Sequence, residues 1–262
     1  MSTYGLTAEQ AKSYQETGYV LVKNVISKTE AAALRQEMHE LSGRLRAIKE
    51  TNATWDSAQS AGTQLYHCHD VQFQSALVSR LIVDARLTSL MQGCIGPNVQ
   101  LHHTKMFIKP PEKGSPFPMH QDQPYFPHAK HSMAAAIVHF DDATPEKGCV
   151  AVYPSSHKLG PIAPDNPRDR SLSMQKYNLE NATLCPAEAG DVLIFNYLTI
   201  HGSGVNASNE ARTTLLIQFR DPTDAPLVDT HKSQGQGMML AGIDPTCQNL
   251  PAWEKQQEKK AG

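Results

Sequence analysis

The 262-residue chain predicts a mainly β fold with flanking helices, a jelly roll or antiparallel barrel carrying helices on one side. Two observations predict it. Apolar stripes at helical spacing dominate the first third, and from Val99 onward the pattern changes to short β-rich runs punctuated by Pro, Gly and Asn. No helical segment separates those later runs, which argues against a parallel α/β sheet. With no internal repeat and no low-complexity linker, one domain is expected over 1–262: a helical part over about 1–98, a jelly-roll core over about 99–220 and a C-terminal extension over 221–262.

The elements follow in order. Thr7 with Gln10 forms a capping box that opens a short helix ending at Gly18. Tyr19 to Val25 alternates apolar and polar, a strand pattern. Ser27 with Glu30 is a second capping box, and the helix it opens carries the stripe Leu34, Met38, Leu41, Leu45 and Ile48. A third helix is expected over about Val71 to Met91, ending near Gly93. Strands are expected at Val99–Lys109, Met133–Phe140, Gly148–Tyr153, Asp191–Tyr197 and Arg212–Phe219, each bounded by turn residues.

Composition narrows the function. Hydrophobic residues at 40% and charged residues at 19% are globular values. A net charge of −2 excludes a strongly basic nucleic-acid or membrane binder, so a small-molecule partner is expected, with no nucleic acid and no membrane. No apolar run reaches the roughly 18 residues of a bilayer span. Five scattered cysteines without CxxC spacing read as reduced thiols, and without a signal-peptide pattern a cytoplasmic protein is expected. The terminal Lys-Ala-Gly is not a peroxisomal signal. The sequence says nothing about oligomeric state.

The chemistry concentrates in His120-Gln121-Asp122, followed much later by His201 and then Arg212. Two imidazoles and a carboxylate suit the facial triad of non-heme Fe(II), which leaves coordination positions open. His120 and Asp122 are two apart, so on an extended strand both would leave the same face. A second HxD, His139-Phe140-Asp141, ends an apolar run before the turn 142–148 and reads as a strand end meeting solvent. His120 is instead surrounded by Phe117, Met119, Tyr125 and Phe126, the lining expected of a buried site. His67-Cys68-His69-Asp70 lacks a second ligand cluster and reads as a neighbour of the pocket entrance, not a zinc site. The strands bearing His201 and Arg212 read as hairpin neighbours, and a buried Arg212 requires an anion. That anion is either a co-substrate carboxylate or one of the chain's own acids.

Several stretches resemble the phytanoyl-CoA dioxygenase family of Fe(II)/2-oxoglutarate oxygenases. They are Gly18-Tyr-Val-Leu-Val, Lys109-Pro-Pro, His120-Gln-Asp122, the run 148–158 through His157, and Gly190-Asp-Val-Leu through His201 to Arg212. The resemblance implies a double-stranded β-helix core with His120, Asp122 and His201 as iron ligands. It also implies that Arg212, assisted by the Ser203 hydroxyl, grips the distal carboxylate of 2-oxoglutarate. Where the family often places an aromatic or amide beside the co-substrate, this chain has Lys105 and Ile137, and Lys105 is taken as a co-substrate contact.

The implied activity couples oxidative decarboxylation of 2-oxoglutarate, with O2, to succinate and CO2 with hydroxylation of a C–H bond in a small organic substrate. Related halogenases lack the carboxylate that Asp122 supplies. Desaturation, epimerisation or ring formation would share every motif. A cupin-like protein binding another metal, or a non-catalytic binding protein, are the alternatives from other classes. Candidate substrate residues are Tyr66, His67, His69, His103, Lys105, Tyr125, His128 and Arg220, chosen because they flank the metal motifs. Several are cationic or become so near neutral pH, which inclines the substrate toward an anion.

Overall fold

The computed structural model of the chain describes residues 4–47, 63–166, 168 and 170–247. Helix α1 (Ala8–Thr17) starts at the expected capping box and ends at Gly18 in the left-handed region, φ 84°. A side chain at Gly18 would run into the His157 ring and the Thr199 hydroxyl, so this turn suits only glycine. Strand β1 (Tyr19–Val22) follows, shorter than the expected run. Helix α2 (Lys28–Ala47) opens on the Ser27–Glu30 box, with both reciprocal hydrogen bonds present at 2.8 and 3.1 Å. Its stripe buries Leu34, Met38 and Leu41, each worth about 1.5–3 kcal/mol of apolar burial. Ile48 lies outside the described residues.

The single helix expected over 71–91 is three pieces. After strand β2 (Tyr66–His69) come a 3-10 turn (Val71–Phe73), α3 (Ala76–Ile82) and α4 (Ala85–Ile95). The breaks are capping events: Ser75 accepts from the Val78 amide and Asp84 from the Arg86 amide, each restarting the helix. The last piece ends at Gly96 rather than Gly93.

Two facing antiparallel sheets then form the double-stranded β-helix. The larger contains β3 (Val99–Lys109), β5 (Ala134–His139), β8 (Val192–Asn196), β10 (Arg212–Arg220) and β11 (Met239–Ala241), in the order β1-β8-β5-β10-β3-β11, with β2 also on β3. The smaller is β4 (Phe117–His120), β9 (His201–Ser203), β6 (Val150–Val152) and β7 (Thr183–Cys185), in the order β4-β9-β6-β7. Alternation along each long strand decides what it faces. Val192 and Ile194 of β8 pack with the helices, whereas Leu193 and Phe195 face inward with Val150 and Val152.

One expectation is overturned by this order. β8 and β10 are not hairpin neighbours, because β5 lies between them and His201 itself sits on the facing sheet. The connection crosses from one sheet to the other, so Arg212 meets His201 across the interior rather than along a ladder. A second correction concerns His139-Phe140-Asp141. His139 is wholly buried, and Asp141 is held by Arg35 of α2 at 2.5 Å and by the Thr213 amide at 2.9 Å. Helix α2 covers what the sequence presented as a solvent-facing strand end. Among the described residues no helix is long and apolar enough to cross a membrane.

Candidate active site

The pocket lies between the two sheets. Its wall on the larger sheet comes from alternate residues of paired strands: His103, Lys105 and Phe107 of β3, and Arg212, Thr214, Leu216 and Gln218 of β10. The register sets these in rows, with Arg212 opposite Lys109, Thr214 opposite Phe107, Leu216 opposite Lys105 and Gln218 opposite His103. The facing wall supplies His120, His201 and Ser203, and Tyr125 and His231 reach in from connections.

His120 and His201 are cross-strand partners on β4 and β9, with ring centroids 4.3 Å apart. Asp122 does not reach them by strand alternation, as the spacing suggested. The strand ends at His120, and Asp122 sits in helical conformation (φ −73°, ψ −27°) at the start of a 3-10 turn over Gln123–Tyr125. The turn, pinned by the Asp122 amide donating to the Tyr197 carbonyl at 3.0 Å, swings the carboxylate back toward the imidazoles. Asp122 Oδ1 then lies 3.7 Å from His120 Nε2 and 3.8 Å from His201 Nε2.

Hydrogen bonds behind these groups fix their chemistry. His120 Nδ1 is 2.7 Å from the Pro118 carbonyl and His201 Nδ1 is 2.9 Å from the Thr199 carbonyl. A carbonyl only accepts, so each Nδ1 carries the proton and each Nε2 lone pair faces the centre. Asp122 Oδ2 accepts from Gln218 Nε2 at 2.7 Å, leaving Oδ1 for the centre. Burial, and then His201 nearby, push the His120 pKa down to about 4, so the ring is neutral and ready to ligate at neutral pH. The three donor atoms lie within 4.8 Å of one another, and no other such group of three occurs among the described residues. This donor set fits one divalent iron on a single face.

Arg212 lies deeper in the pocket. It is 3% exposed, donates through Nη1 to the Gly148 carbonyl, and has an unpartnered Nε. Gly148 takes a left-handed φ of 64° where a side chain would collide with the Gly204 and Val205 carbonyls. Among the described residues no carboxylate lies within ion-pair distance of Arg212. Burial lowers its pKa to about 10. Beside it stands Lys109, fully buried, whose ammonium donates to Ser203 Oγ at 2.7 Å and to the Gly204 carbonyl at 2.5 Å. Burial, and then Arg212, hold its proton affinity well below the ordinary lysine value. Two interior cations satisfied only by neutral oxygens leave net positive charge, which fits the carboxylate of a 2-oxo acid.

The structure gathers His120, Asp122, His201, Ser203, Arg212, Lys105, His103 and Tyr125 around this pocket. It does not bring the other candidates there. Tyr66 pairs with Ile108 and packs on the helix side of β2, the face opposite His67 and His69. His128 and Arg220 line a second pocket with His102, divided from the first by Phe126. A bulge on β3 produces this division, because His103 pairs with Gln218 and Leu101 with Phe219, leaving His102 as the extra residue. Lys105 stands two rows from Arg212, beside the histidines rather than at the distal end.

Gln218, Lys109 and His231 were missed. Alternation from Arg212 along the strand would have marked Gln218 as pocket-facing. His231 carried no local signal, because only the fold returns it from the segment after β10 to the pocket.

Comparison with known proteins agrees with this geometry. A family model described as Phytanoyl-CoA dioxygenase (PhyH) matches residues 14–214. A peroxisomal phytanoyl-CoA dioxygenase of Bos taurus is 29% identical over 82% of this chain and 69% of its own length. A probable alpha-ketoglutarate-dependent hypophosphite dioxygenase of Stutzerimonas stutzeri is 25% identical over 93% of this chain and 90% of its own. The crystal structure of EctD from S. alaskensis with bound Fe superposes with a TM-score of 0.69 at 20% identity, covering 96% of this chain and 89% of that one.

Proposed function

The chain belongs to the phytanoyl-CoA dioxygenase family, and from that premise we propose that His120, Asp122 and His201 hold Fe(II) while Arg212 and Ser203 hold the distal carboxylate of 2-oxoglutarate. The enzyme is an Fe(II)/2-oxoglutarate-dependent dioxygenase. The observation that carries the residue assignment is the placing of a three-donor centre and a buried, acid-free guanidinium in one pocket. One domain does this work over the chain, with His231 of the C-terminal segment lining the pocket. Five free cysteines suit a reducing compartment, and we place the enzyme in the cytoplasm.

When bound, iron with 2-oxoglutarate and O2 supplies the oxidant for the C–H bond, and succinate and CO2 leave. The chain's own residues orient and exclude. Gln218 keeps the Asp122 carboxylate turned to the centre, and the Pro118 and Thr199 carbonyls hold the imidazole tautomers. Lys109 occupies one lone pair of Ser203, so the hydroxyl proton is free to point at the co-substrate. Tyr125, Phe126, Phe107 and Phe117 keep bulk water from the centre.

The curated relatives act on small molecules that differ widely, as their names phytanoyl-CoA, ectoine and hypophosphite dioxygenase state. This chain is proposed to hydroxylate a small organic molecule. Protein purified without oxygen and supplied with Fe(II), 2-oxoglutarate and then O2 should form succinate above background, increasingly so with the matching substrate. Absence of succinate with every substrate pool would overturn the reading.

A further inference from the structure

The pocket has a second cationic station that the iron and co-substrate assignments leave unused. Lys105 lines it from β3 together with His103 and His231, and stands opposite His69 of β2 in the ladder; burial first, with the Lys105 ammonium a further contributor, lowers the proton affinity of each imidazole. Among the described residues no carboxylate lies within 4 Å of that ammonium. The acids nearest in effect are Asp122, already held by Gln218 and facing the imidazoles, and Asp70, which accepts from the Gln234 amide.

His231 reaches the same spot from the C-terminal segment. Its backbone is held in the left-handed region at φ 54°, and its Nε2 is buried without a hydrogen-bond partner. The ring packs 4.4 Å from His103 and 6.2 Å from His69, centroid to centroid. His103 is in turn tied to His102, Nδ1 to Nδ1 at 2.7 Å. Tyr125 and Phe126 close the remaining side. An ammonium without a counter-ion, an orphaned imidazole nitrogen and a low-dielectric aromatic wall form a receptor for negative charge.

We propose that this open end binds an acidic group of the primary substrate, a carboxylate, phosphonate or similar oxyanion, with Lys105 supplying the charge and His231 a hydrogen bond. The proposal rests on the oxygenase reading and deepens it. Arg212 reads the constant acid at the closed end, and Lys105 reads the substrate's acid at the mouth. Lys105 is then a specificity residue rather than a clamp for 2-oxoglutarate.

The test uses the full chain with Fe(II) and 2-oxoglutarate under anaerobic conditions. Methylphosphonate and propionate are titrated in, with propionamide as the neutral control, and perturbation of the iron–co-substrate absorption is followed. Saturable change with at least one acid and none with propionamide is expected. Lys105→Met should weaken that acid about tenfold or more, and Lys105→Arg should retain most of it. His231→Phe should weaken it less, and the concentration of 2-oxoglutarate needed for half-saturation should stay unchanged in all three. Unfolding midpoints near that of the native chain show that the variants fold; a Lys105→Gln variant replaces Lys105→Met if that one does not. Three results overturn the proposal: no acid perturbs the band, Lys105→Met binds acids as the native chain does, or Lys105→Met raises the 2-oxoglutarate requirement in equal measure. If the absorption never forms, the oxygenase reading itself fails, which is a separate outcome.

Discussion

The two ends of the pocket are both cationic, yet they are built differently. At the closed end Arg212 and Lys109 stand opposite each other on paired strands, are essentially buried, and are fixed by the Gly148, Gly204 and Ser203 oxygens. At the open end Lys105 has no such partner, and the imidazoles around it stack on one another with His231 arriving from an irregular segment. On the proposed assignments, the co-substrate is read by ladder residues, whereas the primary substrate is read partly by a connecting segment.

The largest effect is expected between the ends, at the centre both serve. Asp122→Ala should abolish succinate formation and most iron binding, checked by metal analysis of protein purified without oxygen. Next, Arg212→Ala should raise the 2-oxoglutarate requirement about tenfold to a hundredfold while iron content stays near one equivalent, because charge-assisted pairs of this kind are worth about 1.5–3 kcal/mol. Equal loss of both would reduce Arg212 to a structural role. Gln218→Leu removes only the group behind Asp122; a loss of about tenfold or more in iron affinity is expected, with 2-oxoglutarate affinity retained.

A smaller effect concerns stability and its dependence on pH. Burial holds the His102 pKa at about 2 and that of His231 at about 4, against roughly 6.5 in the unfolded chain. The unfolded state therefore binds more protons below that value, and stability falls as pH drops from about 6.5, through about 4 for His231 and on to about 2 for His102. Above that range these groups are neutral in both states and contribute no slope. Thermal unfolding of His102→Asn should show a shallower acid decline than the native chain, the remaining slope coming from the other buried histidines, His139 near Arg212 among them.

How much of this was legible differs by the same division. The triad residues and Arg212 stood out in local motifs and Ser203 came from the family resemblance, and the structure sets all of them around one pocket. Capping boxes at Thr7 and Ser27 likewise declared their helices within four residues. The path of Asp122 was not readable, since strand alternation and a 3-10 turn both bring it beside His120. The failure to foresee β5 between β8 and β10 has another cause: sheet crossing is decided by long-range packing, which local periodicity does not encode. Tyr66 was misplaced because its strand was not foreseen, and a one-residue phase decides which face it takes. Lys109 lay inside a quoted motif, but only the folded register shows it under Ser203.

The central claim is that one pocket joins the three-donor centre to the Arg212 clamp. Anaerobic titration of 2-oxoglutarate into Fe(II)-loaded protein tests it most directly. The native chain should develop a saturable iron-to-oxo-acid charge-transfer absorption, lost in His201→Ala and shifted to higher 2-oxoglutarate in Arg212→Ala. An absorption that never appears in the native chain, or one indifferent to Arg212, would contradict the account.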